Sequence, residues 1–159
     1  EYHEKTIKTK KKNNFNILFN IIKKRSKNIQ LRECVMHLRL GDVMSPVTHH
    51  KYKISYDQYK RLIKYLKINH SNLKDITIVG GAHYNENLKE SINFVNSIIK
   101  LFKNNGYKIN IRLGNNPDDD FLIMCNSKIF IKSGGGFSNK ISDYVSSNYG
   151  KVIDPRLID

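Results

Sequence analysis

The 159-residue sequence has only two cysteines, Cys34 and Cys125, and each sits beside apolar residues. Buried free thiols are therefore expected rather than a disulfide framework. Neither CxxC nor HxxxH spacing occurs, which argues against zinc. No apolar run approaches the roughly 20 residues a membrane-spanning helix needs, so no transmembrane segment is expected in this chain. The familiar phosphate-binding signatures are missing too. No Lys-Ser or Lys-Thr follows a glycine run as a Walker A loop requires, and no GxGxxG follows the first strand. No Ser-His-Asp or Cys-His arrangement stands out, no internal repeat is present, and His49, His50 and His70 lack partners at catalytic spacing.

Acidic residues are scarce: 14 Asp and Glu face 28 Lys and Arg, a formal charge of +14. Such an excess raises the question of nucleic acid, because clustered cations release counterions from a phosphate backbone. Lys greatly outnumbers Arg, however, whereas planar phosphate recognition favours Arg. Lys, Asn and Ile are all abundant, as an AT-rich coding sequence would make them. Much of the charge also lies before residue 33, in Lys5, Lys8, Lys10 to Lys12, Lys23 to Arg25, Lys27 and Arg32. Residues 1–30 thus read as a basic helical leader or linker, and no nucleic-acid partner is expected.

A different organisation emerges beyond residue 30. Phe15, Leu18, Ile21 and Ile22 recur at helical spacing and predict a first helix over 14–28. A strand follows at 33–40. Ser55 caps a helix with the apolar stripe Tyr59, Leu62, Ile63 and Leu66. Asp75 to Val79 reads as a second strand ending at Gly80-Gly81. A helix carrying Leu88, Ile92, Val95, Ile99 and Phe102 stops near Gly106, and Tyr107 to Leu113 alternates as a third strand. A short helix over 118–126, a strand over 128–132, a helix over 137–147 and a strand over 151–154 complete the series. This βαβαβαβαβ order, with right-handed crossovers, specifies an α/β fold: a mainly parallel sheet of about five strands with helices on both faces.

In such sheets ligands bind at the carboxyl ends of the strands, and three loops there carry polar residues. The first ends the strand Cys34 to Leu40. Alternation puts His37 and Arg39 on one face, Gly41 lets the backbone turn, and Asp42 follows. A guanidinium there suits a phosphate, and an imidazole suits a sugar or base; a strand-terminal Arg39–Asp42 salt bridge is the competing reading. The second loop is Gly80-Gly81-Ala82-His83, where His83 is a cleft candidate. The third, Ser133 to Ser138, places Gly135 and Gly136 at a helix start, whose free N–H groups attract anions. An Arg on the first strand with an anion nest after the fourth suggests a diphosphate site. Asp118, Asp119 and Asp120 either complement a helix dipole or present a carboxylate to a purine ring.

These residues resemble the fucosyltransferase superfamily of GT-B fold, which includes α1,6-, α1,2- and protein O-fucosyltransferases. His37-Leu38-Arg39-Leu40-Gly41-Asp42 matches that group's H-x-R-x-G/T-D element. Asp120, Met124, Ser127, Ile129-Phe130-Ile131 and Phe137-Ser138 look like its distal run. The resemblance spans about residues 33–150 and implies a Rossmann-like, nucleotide-sugar (donor) binding domain over 31–159, one half of a GT-B glycosyltransferase. It implies transfer from a GDP-sugar, GDP-fucose by family preference, to a glycan or protein acceptor, with inversion and without metal or other cofactor. Arg39 would hold the β-phosphate and stabilise the leaving diphosphate, His37 and Asp120 would contact the guanosine, Ser138 with the Gly135-Gly136 backbone would hold phosphate oxygens, and Gly41 and Phe137 would belong to the same donor-binding set. Asp42 is the nominee for the acceptor base. Leu40 stands where several branches carry a second Arg, and no second Rossmann-like domain fits before residue 33. The chain then reads as a fragment, or as a catalytically silent α/β module that binds a nucleotide or phosphorylated ligand; a basic nucleic-acid-associated domain is a third reading.

Overall fold

The structure is a computed structural model that describes residues 16–45, 52–82 and 87–159. His49, His50 and His83 lie outside the described residues. Five strands, β1 (Arg32–Leu40), β2 (Asp75–Ala82), β3 (Lys108–Leu113), β4 (Ser127–Ile131) and β5 (Lys151–Ile153), form one sheet in the order β3-β2-β1-β4-β5. Every neighbouring pair is parallel. The helices are α1 (16–25), α2 (Tyr56–Asn69), α3 (Leu88–Asn104), α4 (Pro117–Cys125) and α5 (Gly136–Ser147). The fold is Rossmann-like α/β. The strand order reverses between β1 and β4, and it is at such a reversal that an open α/β sheet leaves a crevice.

Alternation along β1 divides the core. Cys34, Met36, Leu38 and Leu40 pack with Tyr59, Leu62, Leu66, Val95, Ile98 and Phe102 of α2 and α3. Val35 joins Phe130, Ile22, Leu122, Met124, Ile141 and Tyr144 on the other face, under α1, α4 and α5. Cys34 and Cys125 therefore lie on opposite faces of the sheet, buried as free thiols. Burial pushes both thiols up from their ordinary range, which keeps them inert.

Local signals account for the element ends. The Ser55 hydroxyl accepts from Gln58 N–H while the Gln58 side chain accepts from Ser55 N–H, a complete capping box. Asn116 caps α4, accepting from the N–H groups of Asp118 and Asp119, with Pro117 in its first turn. Gly106, at φ +90, ends α3 as anticipated. One boundary differs. The second strand runs through Gly80 and Gly81 instead of stopping there, because they pair in register with Leu38 and Arg39. Glycine serves close approach at this point: a Cβ on Gly80 would lie 2.6 Å from the Leu38 carbonyl oxygen.

The described part of the basic leader packs on the domain. Ile22 is buried in the core, with Leu18 and Phe19 against it, and the Phe19 ring lies 4.8 Å from that of Tyr144. Ile22→Ala is expected to cost roughly 2–5 kcal/mol, as for other buried large-to-small changes, measured by urea denaturation. A cost of only a few tenths would mean that α1 is a detachable leader.

Candidate functional site

The carboxyl ends of β1, β2, β3 and β4 enclose a cleft of ≈ 480 Å³, whose lining includes His37, Arg39, Gly80, Asp120, Gly135 and Phe137. His37 and Arg39 point to the α4/α5 face of the sheet, opposite to Leu38 and Leu40. The loop after β4 brings Gly135 beside Arg39, as the adjacency of β1 and β4 requires.

Arg39 is the centre of the arrangement. Its Nε donates to Asp42 Oδ1 at 3.2 Å, its Nη2 donates to Asp42 Oδ2 at 2.5 Å, and its Cζ lies 5.0 Å from the centre of the Tyr52 ring. The strand-terminal salt bridge is therefore present. It is not a loose surface pair, since the two side chains are only 25% and 18% exposed. The remaining nitrogen, Nη1, occupies the space a side chain on Gly135 would need, and Gly135 adopts φ +96. Both conditions demand glycine. Gly135 is also the N-cap of α5 and supplies no side-chain acceptor to its first turn. The guanidinium edge not held by Asp42 and the positive end of a 12-residue helix thus converge on one side of the cleft.

His37 is fixed from two sides. Its Nδ1 lies 2.7 Å from Ser133 Oγ, and its ring meets Phe137 edge-on at 5.6 Å. Burial, reinforced by the Arg39 charge, lowers its pKa from 6.5 to about 4, so the ring is neutral near pH 7. The other acceptor within reach of the Ser133 hydroxyl, the Gly134 carbonyl, is 3.5 Å away, at the limit of a useful bond. A Ser133 O–H donating to Nδ1 would leave the ring's own proton on Nε2, and the reverse tautomer would have Nδ1–H donate to the Ser133 oxygen.

Asp120 also lines the cleft, with Asp118 and Asp119 exposed on the same helix turn. Asp118 and Asp119 stand at the exposed helix start, where they complement the dipole, and Asp120 faces inward. Arg112 Nε donates to Asp120 Oδ1 at 2.5 Å. Burial raises the Asp120 pKa, while the hydrogen bond and charge of Arg112 oppose the rise.

Other expected residues sit elsewhere. Ser138 is fully buried and does not line the cleft; its Oγ accepts from Ser133 N–H at 3.0 Å. It braces the turn between β4 and α5. Gly41, at φ +74, donates its N–H to Ser91 Oγ and accepts from Asn87 Nδ2, which ties the end of β1 to the start of α3. It too stays out of the cleft, as does Asp42, whose carboxylate is spent on Arg39. Gly136 is exposed in the first turn of α5.

No protein-family model matches the chain, and no curated protein or solved structure matches it. The reading of the site rests on its own geometry.

Sequence reasoning missed Tyr52, Ser133 as a partner of His37, and Arg112. Arg112 was detectable, since alternation on β3 sets it on the α4 face two residues before the loop that leads to Asp120. Tyr52 sits in an aperiodic connection and carries no such signal.

The lowered His37 pKa has a consequence for stability. Between pH 6.5 and about 4 the unfolded chain binds a proton at His37 that the folded chain does not. This contribution is complete above pH 6.5 and is lost as pH falls toward 4. Histidine NMR titration should find His37 neutral down to about pH 4; a midpoint near 6.5 would refute the desolvated, Ser133-bound imidazole.

Proposed function

We propose that the cleft binds the donor of a fucosyltransferase-like glycosyltransferase, a GDP-sugar, with GDP-fucose the preferred case. The convergence of Arg39 Nη1, the Gly135 backbone and the start of α5 carries this reading. A diphosphate placed there meets a guanidinium and unpaired helix-start N–H groups together. As the glycosidic bond breaks, charge grows on the β-phosphate, and donors fixed beforehand stabilise it without reorganising. His37 and the inward carboxylate of Asp120 are the polar groups toward the nucleoside end. Phe137, stacked edge-on against His37 and 5.5 Å from Phe121, supplies an apolar wall. Phosphate contact is assigned to Arg39 and to the backbone at Gly135, Gly136 and Phe137, with Ser138 as their support. The acceptor would be a glycan or protein, and no metal is called on.

One observation favours a second reading, nucleotide binding without transfer. Asp42, the nominee for acceptor base, is held by both Nε and Nη2 of Arg39. Its two oxygens face the guanidinium rather than an incoming hydroxyl. In this reading the chain binds the nucleotide and does not deprotonate an acceptor.

Calorimetric titration with GDP, and with UDP and ADP as controls, tests the site. Arg39→Ala is expected to weaken GDP binding by roughly 1.5–3 kcal/mol, the range for a charged hydrogen bond, or about 10- to 150-fold in Kd. Gly135→Ala should weaken it as well, because the added methyl displaces Nη1. Binding that ignores the base, or survives Arg39→Ala, would overturn the donor-site reading. Release of free sugar or transfer from GDP-fucose separates the enzyme from the silent module.

A further inference from the structure

A parallel sheet gathers all its strand starts and helix carboxyl ends at one end of the molecule, opposite the cleft. In this chain that end is basic. Arg32, Lys108 and Lys151 open β1, β3 and β5, Lys74 immediately precedes β2, and Lys128 is the second residue of β4. Lys67 and Lys103 lie in the last turns of α2 and α3. Among the described residues only Glu33 and Asp75 provide carboxylates there, and Asp75 is 3.5 Å from Lys108 Nζ. At the cleft end, by contrast, Asp42, Asp57, Glu90, Asp154 and the 118–120 triplet balance the cations.

Helix dipoles explain cations in last turns, but they do not explain the apolar side chains beside them. Ile68 is 80% exposed at the end of α2, Leu31 is 52% exposed just before β1, and Tyr149 is fully exposed, at 101%, between α5 and β5. Lys151 Nζ lies 5.5 Å from the Tyr65 ring, so the start of β5 adjoins the last turns of α2, which carry Ile68. Tyr149 is the most telling of the three. It holds φ +63, a left-handed conformation that suits Gly or Asn and strains a bulky residue. The neighbouring Gly150 is committed to packing, since a Cβ there would lie 2.5 Å from Val145 Cγ1. An aromatic ring is thus kept in solvent at a conformational cost, at the end of the sheet that also carries the lysines and two exposed aliphatics.

We infer that this end of the sheet docks on an anionic lipid surface. Tyr149, Ile68 and Leu31 enter the headgroup region, the surrounding lysines meet lipid phosphates and carboxylates, and the cleft opens on the far side. Lysines are strongly hydrated point charges suited to a diffuse negative potential, and tyrosine prefers the membrane interface. A nucleic acid would call for several Arg forks or a platform of several aromatic rings; among the described residues this end has one arginine at a strand start, Arg32, and one fully exposed ring, Tyr149.

Co-sedimentation of the full chain with phosphatidylcholine vesicles, with and without phosphatidylserine, tests the inference. Binding should require phosphatidylserine and fall with added salt. The triple change Lys74→Gln, Lys128→Gln and Lys151→Gln should reduce partitioning by roughly a hundred-fold, at about one lysine's worth of surface attraction each. A control triple of equal charge loss elsewhere, Lys60→Gln, Lys89→Gln and Lys140→Gln, should keep most of it. Tyr149→Gly should raise Tm, by relieving the left-handed strain, while weakening vesicle binding. Equal losses in both triples, unchanged binding by the Tyr149 variant, no binding to anionic vesicles, or tighter binding to a DNA or RNA oligonucleotide would each overturn the proposal.

Discussion

A guanidinium at the end of the central strand, three-quarters removed from water, constrains much of what surrounds it. Such a charge is tolerated only when its hydrogen-bonding edges and its face are matched. Asp42 takes one edge of Arg39, Tyr52 covers its face, and Gly135 makes room for the remaining nitrogen. These partners come from two connections of the chain, Asp42 and Tyr52 from the one between β1 and α2 and Gly135 from the one between β4 and α5. They meet because β1 is paired on both sides, with β4 on the side where the strand order reverses. Two of the glycines that line the cleft serve close approach. Gly80 lets β2 close on β1, and Gly135 lets the start of α5 close on Arg39.

The polar residues behind the cleft act as a frame. Ser138 Oγ accepts from Ser133 N–H, and Ser133 Oγ in turn holds His37, so the turn into α5 and the ring above it are positioned together. Arg112 does the same for Asp120 across the gap between β3 and α4. Low dielectric strengthens these bonds and penalises any group left unpaired. A cleft built in this way presents a neutral imidazole, a paired carboxylate and a cation without needing to rearrange for an anionic ligand.

The helical stripe of α2, the period-two alternation of β1 and the capping residues Ser55 and Asn116 were all legible, because each rests on contacts within a few residues of sequence. The association of Arg39 with Asp42 was legible as one of two readings, three residues apart. The inward placement of Ser138 was not legible, for a physical reason. A hydroxyl at a helix start looks the same in sequence whether it faces a ligand or the interior, and only the packing of α5 on the sheet turned it inward. The end of the second strand was misplaced similarly, since Gly80-Gly81 reads as a break until β1 supplies the pairing partner.

Local periodicity and turn chemistry thus determined, from the sequence alone, that the chain alternates strands and helices, that its sheet is mainly parallel, and that its polar residues gather at the carboxyl ends of strands. Tertiary structure decided the strand order, the partners of Arg39 and His37, and which member of the 118–120 triplet faces the cleft. It also decided that lysines scattered through the sequence share one end of the molecule with Tyr149 and Ile68. Secondary structure follows from interactions between near neighbours in the chain. A site assembled from residues roughly a hundred positions apart, such as His37 and Ser133, exists only once the sheet order brings them into contact.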